Sequence, residues 1–196
     1  GSMPDSCVDP ITAAAHIHIG LQEILAREIS PMSELVITCG AFNAGDAGNA
    51  IPQSATMQGT IRVFDKKTEE LAKKRITEIA SGIAQTYRCA ATTTFGRPSP
   101  AVFNDKEFME QCVEYAKQTL PQAQLYGGAH GMGSEDFGSI SQACTANYMM
   151  IGAAAGPLNE CYGQHNPHVR FDENALPMSC ALYASVAMNW LDDNAK

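Results

Sequence analysis

Apolar residues at Ile11, Ala14, Ala15, Leu21 and Leu25, with His18 among them, recur at the three-and-four spacing that lines one side of an α-helix. Asp9 and Pro10 stand where a helix takes its N-cap and its first-turn proline, so the pattern predicts a helix from about Pro10 to Glu28, stopped by Pro31. The period then shortens to two. Leu35, Ile37 and Cys39 alternate toward Gly40; across 54–63, Ala55, Met57, Gly59, Ile61 and Val63 fall on one side and Thr56, Gln58, Thr60 and Arg62 on the other. The link between these strands, 43–52, is too irregular for a two-residue hairpin turn. Asp65 caps a second predicted helix. Its apolar side is Leu71, Ile76, Ile79 and Ile83, and Lys66, Lys67, Lys73, Lys74 and Arg75 remain in water. Residues 89–95 read as a further strand.

The order helix, strand, strand, helix, strand supplies five of the six elements of a ferredoxin-like split β-α-β sandwich, with the first strand missing. Pro98-Ser99-Pro100 marks the expected boundary, giving domains at 4–97 and 98–196. Beyond it the pattern predicts a helix over 105–120, a glycine-rich segment over 127–133 and a short helix after Ser134. A buried strand over 147–151, a loop through Pro167 and a final helix over 174–191 complete the chain. Gly1-Ser2-Met3 reads either as a remnant of an expression tag or as a native turn.

With 45% hydrophobic and 17% charged residues in 196 positions, the chain has enough apolar surface for one or two cores. No apolar run reaches the roughly 18 residues a membrane span needs, and no leader is visible, so a cytoplasmic protein is expected. Seven cysteines, an odd number without a C-x-x-C pair, fit reduced thiols better than a disulfide framework. A net charge of −8 argues against nucleic acid or an anionic membrane as partner, since both require clustered Lys and Arg.

The chemistry-bearing segments are Gly133-Ser134-Glu135-Asp136-Phe137 and His165-Asn166-Pro167, followed by Phe171-Asp172-Glu173. A hydrolytic metal site needs three or more His, Cys or carboxylate ligands per ion, and only His165 stands out as one. By itself His165 reads as a loop histidine beside a proline turn. Glu135 and Asp136, adjacent on one backbone, read first as acidic residues facing a helix N-terminus with Ser134 as its cap. Ser134 lies in no G-x-S-x-G elbow, so a serine hydrolase is not expected. His16 and His18, two apart on one helix, cannot share an ion on one face. Asn49 can occupy a left-handed turn and Arg62 an exposed strand position. The glycines over 127–133 lack the Lys-Ser/Thr that a phosphate loop carries.

Asp9-Pro10-Ile11, Asn49-Ala50-Ile51-Pro52, Gly59-Thr60-Ile61-Arg62-Val63-Phe64-Asp65, Gly133-Ser134-Glu135-Asp136-Phe137, His165-Asn166-Pro167 and Phe171-Asp172-Glu173-Asn174-Ala175-Leu176-Pro177 occur in an order that resembles one family. It is the family of metal-dependent amidohydrolases similar to hippurate hydrolase, N-acyl-amino-acid amidohydrolases and auxin-conjugate hydrolases, related more distantly to carboxypeptidase G and the aminoacylases. The resemblance implies an α/β metallopeptidase domain interrupted by a lid that also dimerises: residues 4–97 as the lid, 98–196 as the C-terminal part of the catalytic domain. The general base and most ligands would lie upstream, in a part with no counterpart here.

It further implies His165 as a metal ligand, Asn49, Arg62 and Glu135 as substrate-binding residues, and no catalytic residue within this chain. Two divalent ions, zinc or manganese and in some cases cobalt, would serve the full-length enzyme, a homodimer cleaving the amide of N-acyl amino acids by metal-activated water. This chain alone is expected to be metal-free and inactive. The contrasting expectation is a non-catalytic dimerisation or partner-binding module derived from the same family.

Overall fold

The computed structural model describes residues 1–128 and 130–195. It divides into two compact units, one formed by Gly1–Ala101 with Gly131–Glu135, the other by the remainder. Of the glycine-rich segment 127–133, Ala129 lies outside the described residues.

In the first unit, α1 (Pro10–Gly20) starts where Asp9 Oδ1 accepts the amides of Ile11, at 2.8 Å, and Thr12, at 3.3 Å. Each bond satisfies a donor that a helix start leaves open. The chain stays helical beyond Gly20, with Leu21 right-handed and its amide on Ile17 O at 2.9 Å, and ends as predicted at Glu28, in a π-helical turn over Ile24–Glu28. Gly20 lies against the helix that carries Ile79 and Ile83: a Cβ there would lie 2.6 Å from Ile83 Cδ1.

Strands β1 (Leu35–Ala44) and β2 (Ala55–Val63) form an antiparallel pair, from Leu35 opposite Val63 to Ala44 opposite Ala55. A bulge at Gly40 shifts the register between Cys39 and Ala41. The extra residue sets Phe42 opposite Met57, and the strand runs on to Ala44, two residues into the expected 43–52 link. Opposite the bulge, a Cβ on Gly59 would come within 2.1 Å of the Thr38 carbonyl oxygen.

Helix α2 (Lys66–Thr86) is capped by Asp65, whose Oδ1 accepts the Thr68 amide at 2.8 Å. It ends in a Schellman turn: Cys89 N–H donates to Ala84 O at 2.8 Å and Arg88 N–H to Gln85 O at 3.0 Å, with Arg88 in the left-handed conformation at φ 61°. The core of the unit is Ile17 with Ala80 and Ala84, against which Leu21, Met57, Ile83 and Cys89 pack. Small residues at the centre let the two helices come close, and larger ones close the rim.

The predicted strand over 89–95 forms no ladder. Its residues follow α2 back along the helix, but the backbone of 90–95 makes no backbone–backbone hydrogen bond among the described residues.

In the second unit, α3 (Lys106–Thr119) begins at Asp105, whose Oδ1 accepts the Phe108 amide at 2.9 Å. It packs on α5 (Ala175–Asn194) through the buried side chains Cys112, Ala116 and Leu182. Polar bonds flank that contact: Tyr115 Oη donates to Asp193 Oδ2 at 2.5 Å, and Thr119 Oγ1 to Ser185 Oγ at 2.5 Å. Phe108 meets the Trp190 ring edge-on at 6.3 Å. α5 carries no charge from Ala175 to Leu191. Its side away from α3 leaves Leu176 64% and Tyr183 83% exposed.

The short helix α4 (Phe137–Ala143) follows Asp136, not Ser134. Ser134 lies two residues too early to cap it. The predicted strand over 147–151 is likewise unpaired as a strand. Instead the Asn104 side-chain amide takes the place of a neighbouring strand at Tyr148, donating to its carbonyl at 3.1 Å and accepting its amide at 2.7 Å. A single bridge further on joins Ala154 to Phe171. No helix among the described residues is long and apolar enough to cross a membrane.

Candidate functional site

His165 lies on an exposed turn whose backbone is well defined. Asn166 N–H donates to Gly163 O at 2.9 Å and Val169 N–H to Asn166 O at 3.0 Å, while Asn166 Oδ1 accepts the His168 amide at 2.9 Å. Asn166 therefore closes the turn on both sides, which accounts for an asparagine directly after the histidine. His168 is exposed and sets its ring against Tyr162 at 5.5 Å.

The chain leaves this turn through Phe171, bridged to Ala154, and Asp172, whose amide donates to Ala153 O at 2.9 Å. Asp172 Oδ1 then accepts both the backbone and side-chain amides of Asn174, at 3.0 and 2.8 Å, and so directs the chain into α5. An open groove runs beside this corner, walled by Ile151, Ala153, Phe171 and Leu176 with Asp172 and Ser179. His165 is not among its lining residues.

Glu135 is half-buried and Asp136 exposed; Asp136 O accepts the Ser139 amide at 3.0 Å in the first turn of α4. Both carboxylates belong to the chain's approach to that helix.

Asn49 and Arg62 occupy opposite ends of the hairpin. Asn49 is exposed in the link that leaves β1 at Ala44 and enters β2 at Ala55, next to a turn in which Ala50 N–H donates to Ala47 O at 3.3 Å. Arg62 is half-buried opposite Val36. At about 3.3 Å per residue, the seven steps from Ala55 to Arg62 place it about 23 Å along the strand. Among the described residues Arg62 has no acidic partner, so its guanidinium is available to an anion.

The strong electrostatics lie away from these positions. Arg75 grips Glu28 through two nitrogens and also pairs with Glu78. The Asp9 and Asp65 carboxyls are held below the usual range, each chiefly by the threonine of the helix it caps. Burial pushes the Cys112 thiol up, which suits a structural rather than a reactive cysteine.

The residues present do not by themselves compose a metal centre. Among the described residues no group of three His, Cys, Asp or Glu side chains is placed to hold an ion. His165 has the right chemistry, an imidazole on a fixed turn, without companions. Asn104, which holds Tyr148, was not singled out from the sequence. Its only signal was its place beside the Asp105 cap.

Comparison with known proteins gives this arrangement its context. Residues 6–189 match the model of peptidase family M20/M25/M40. The chain is 32% identical over 198 residues to IAA-amino acid hydrolase ILR1-like 2 of Arabidopsis thaliana, covering 99% of this chain and 44% of that protein. It is 31% identical to the hippurate hydrolase of Campylobacter jejuni, covering 97% and 49%. With the N-acetylcysteine deacetylase of Bacillus subtilis the figures are 30% identity, 95% and 47%. The chain thus spans about half the length of the curated relatives it matches. Among solved structures, the Bacillus subtilis YXEP protein, described as a dinuclear metal binding peptidase from the M20 family, superposes with a TM-score of 0.74 at 28% identity, covering 94% of this chain and 47% of that one. Matched along nearly its whole length, the chain belongs to peptidase family M20/M25/M40.

Proposed function

We propose that this chain is part of a metal-dependent amidohydrolase that cleaves the amide bond of N-acyl amino acids or small peptide-like substrates. The observation that carries the reading is the match over 95% or more of the chain to three hydrolases named for IAA-amino acids, hippurate and N-acetylcysteine, all amides between an acyl group and an amino acid. An enzyme for such substrates must grip a carboxylate and polarise a carbonyl. Arg62, without an acidic partner and half-buried on a rigid strand, has the planar fork that grips a carboxylate in two places.

Asn49, at the far end of the hairpin, serves a different substrate group or a different active site. In a homodimer formed through the first unit, each protomer's hairpin reaches two sites, one from each end. That unit is the lid, a split β-α-β sandwich of ferredoxin type with one strand position open. Glu135 borders the substrate, and His165 is one ligand of a pair of divalent ions, zinc, manganese or cobalt. The remaining ligands and the general base are not supplied by this chain, whose residues do not fit a metal on their own. The 196-residue chain is therefore inactive by itself.

Hydrolysis of N-acetyl, N-benzoyl and N-indoleacetyl amino acids with added Zn, Mn or Co tests the reading, in this chain and in a protein of about twice its length. Turnover confined to the longer protein supports it; turnover by this chain alone, or by neither, contradicts it.

A further inference from the structure

Strand alternation gives the hairpin two faces. Met57 packs on the core of Ile17, Ala80 and Ala84, so Ile61 and Val63, at even steps from it, turn to the helices, while Thr60 and Arg62, at odd steps, turn away. Ile37 stands opposite Ile61 and shares the helix side. Val36 and Thr38 stand opposite Arg62 and Thr60 and share the outer face. The bulge between Cys39 and Ala41 lies outside this stretch, so the alternation runs through it unbroken.

Val36, Thr38, Thr60 and Arg62 therefore form a square on the outer face. Thr38 and Thr60 are exposed, Arg62 and Val36 are half-buried, and Val36 is the one apolar side chain among the four. Residues directly opposite in an antiparallel pair hold their Cβ atoms about 4.5–5.5 Å apart, which makes Val36 the immediate neighbour of Arg62. Thr60, on the same strand, is about 7 Å away.

The substrates proposed above share a carboxylate and differ in the side chain borne by the carbon next to it. A carboxylate gripped by a planar fork is fixed in orientation as well as in place, so that side chain comes down beside the fork. Across the strand pair, the residue waiting there is Val36.

We propose that Val36 is a specificity-determining residue: it meets the amino-acid side chain of a substrate whose carboxylate Arg62 holds, and it selects N-acyl amino acids with an apolar side chain over those with a charged one. The proposal rests on the hydrolase reading above and on Arg62 as its carboxylate grip. An apolar substrate side chain set against Val36 leaves water at no cost, whereas a charged one loses water and gains no partner. The hydroxyls of Thr38 and Thr60 border the apolar contact and confine it to the end of the hairpin that carries Arg62.

The test measures kcat and KM of the protein of about twice this length on N-benzoylglycine, N-benzoylleucine and N-benzoylglutamate, unaltered and with Val36→Lys or Val36→Thr. The unaltered protein should favour the leucine over the glutamate derivative in kcat/KM. Val36→Lys should lower that preference at least tenfold, through KM, and Val36→Thr, which keeps the branched shape of valine and with it the strand, should lower the preference for leucine over glycine about threefold. Each preference is a ratio within one preparation, so any loss of folded protein cancels. A preference for glutamate in the unaltered protein, ratios within about twofold of the original in both variants, or changes confined to kcat would overturn the proposal. Those results leave the hydrolase reading standing; absence of turnover on all three substrates by the unaltered protein overturns that reading and the role of Val36 with it.

Discussion

Arg75 of α2 holds Glu28, at the end of the turn that follows α1, in a two-pronged ion pair with Nη2 2.7 Å from Oε1. The pair ties residues 47 apart in sequence. The guanidinium hydrogen bonds hold the Glu28 carboxyl below its usual range, against the opposing effect of desolvation. A carboxyl with a lowered folded pKa adds stability above its ordinary value of 4.5, and that stability is lost as the pH falls through the folded value. Arg75→Gln should lower the thermal midpoint by a few degrees at pH 7, with the difference from wild type shrinking as the pH falls below 4.5 and through the lowered folded value. Thermal melts across that range check it.

Gly59 and Gly40 face each other across the bulge with opposite tolerances. A Cβ on Gly59 would lie 2.1 Å from the Thr38 carbonyl oxygen, a backbone atom that cannot step aside, whereas a Cβ on Gly40 meets nothing within 4 Å. Gly59→Ala should destabilise by about 2–3 kcal/mol and Gly40→Ala by less than about 0.5 kcal/mol, as urea titrations will show.

Arg88 takes a left-handed conformation at the end of α2, where glycine is the residue of least strain. Its side chain also donates to Cys7 O at 3.2 Å, an exposed bond of small net value. Arg88→Gly should therefore stabilise the first unit by about 0.5 kcal/mol, and Arg88→Ala should not. The same urea titrations distinguish the two.

Tyr115 donates to Asp193, and that hydrogen bond, with burial and the carboxylate's charge, pushes its phenol up to about 12. Because the folded value is raised, the stability it contributes is complete below the ordinary value of 10.0 and lost as the pH rises toward 12. Ultraviolet titration should show one late phase among the six tyrosines, absent in Tyr115→Phe.

Features fixed by neighbours in sequence were legible in it. Asp9 and Asp65 each cap the helix they were read to cap, and Asp105 caps a helix read only as beginning there, because a cap bonds within three residues. Alternation identified β1 and β2 but missed the bulge that extends β1 to Ala44, since Gly40 looks the same as a terminator or as an inserted residue. Residues 89–95 and 147–151 have the composition of strands, and whether such residues pair depends on what lies beside them, which no local pattern records. At the site, the chemical aptness of His165, an imidazole beside a proline turn, was readable. The position of Arg62 about 23 Å along β2 from Ala55 was not, because the register of the pair decides it.

The central claim is that His165 completes a metal centre whose other ligands come from outside this chain. Metal analysis of a protein of about twice this length, with and without His165→Ala, tests it most directly. The account predicts two divalent ions per protomer in the unaltered protein, fewer in the variant, and at least a hundredfold loss of N-acyl amino acid hydrolysis. A variant that retains both ions and its full activity would contradict it.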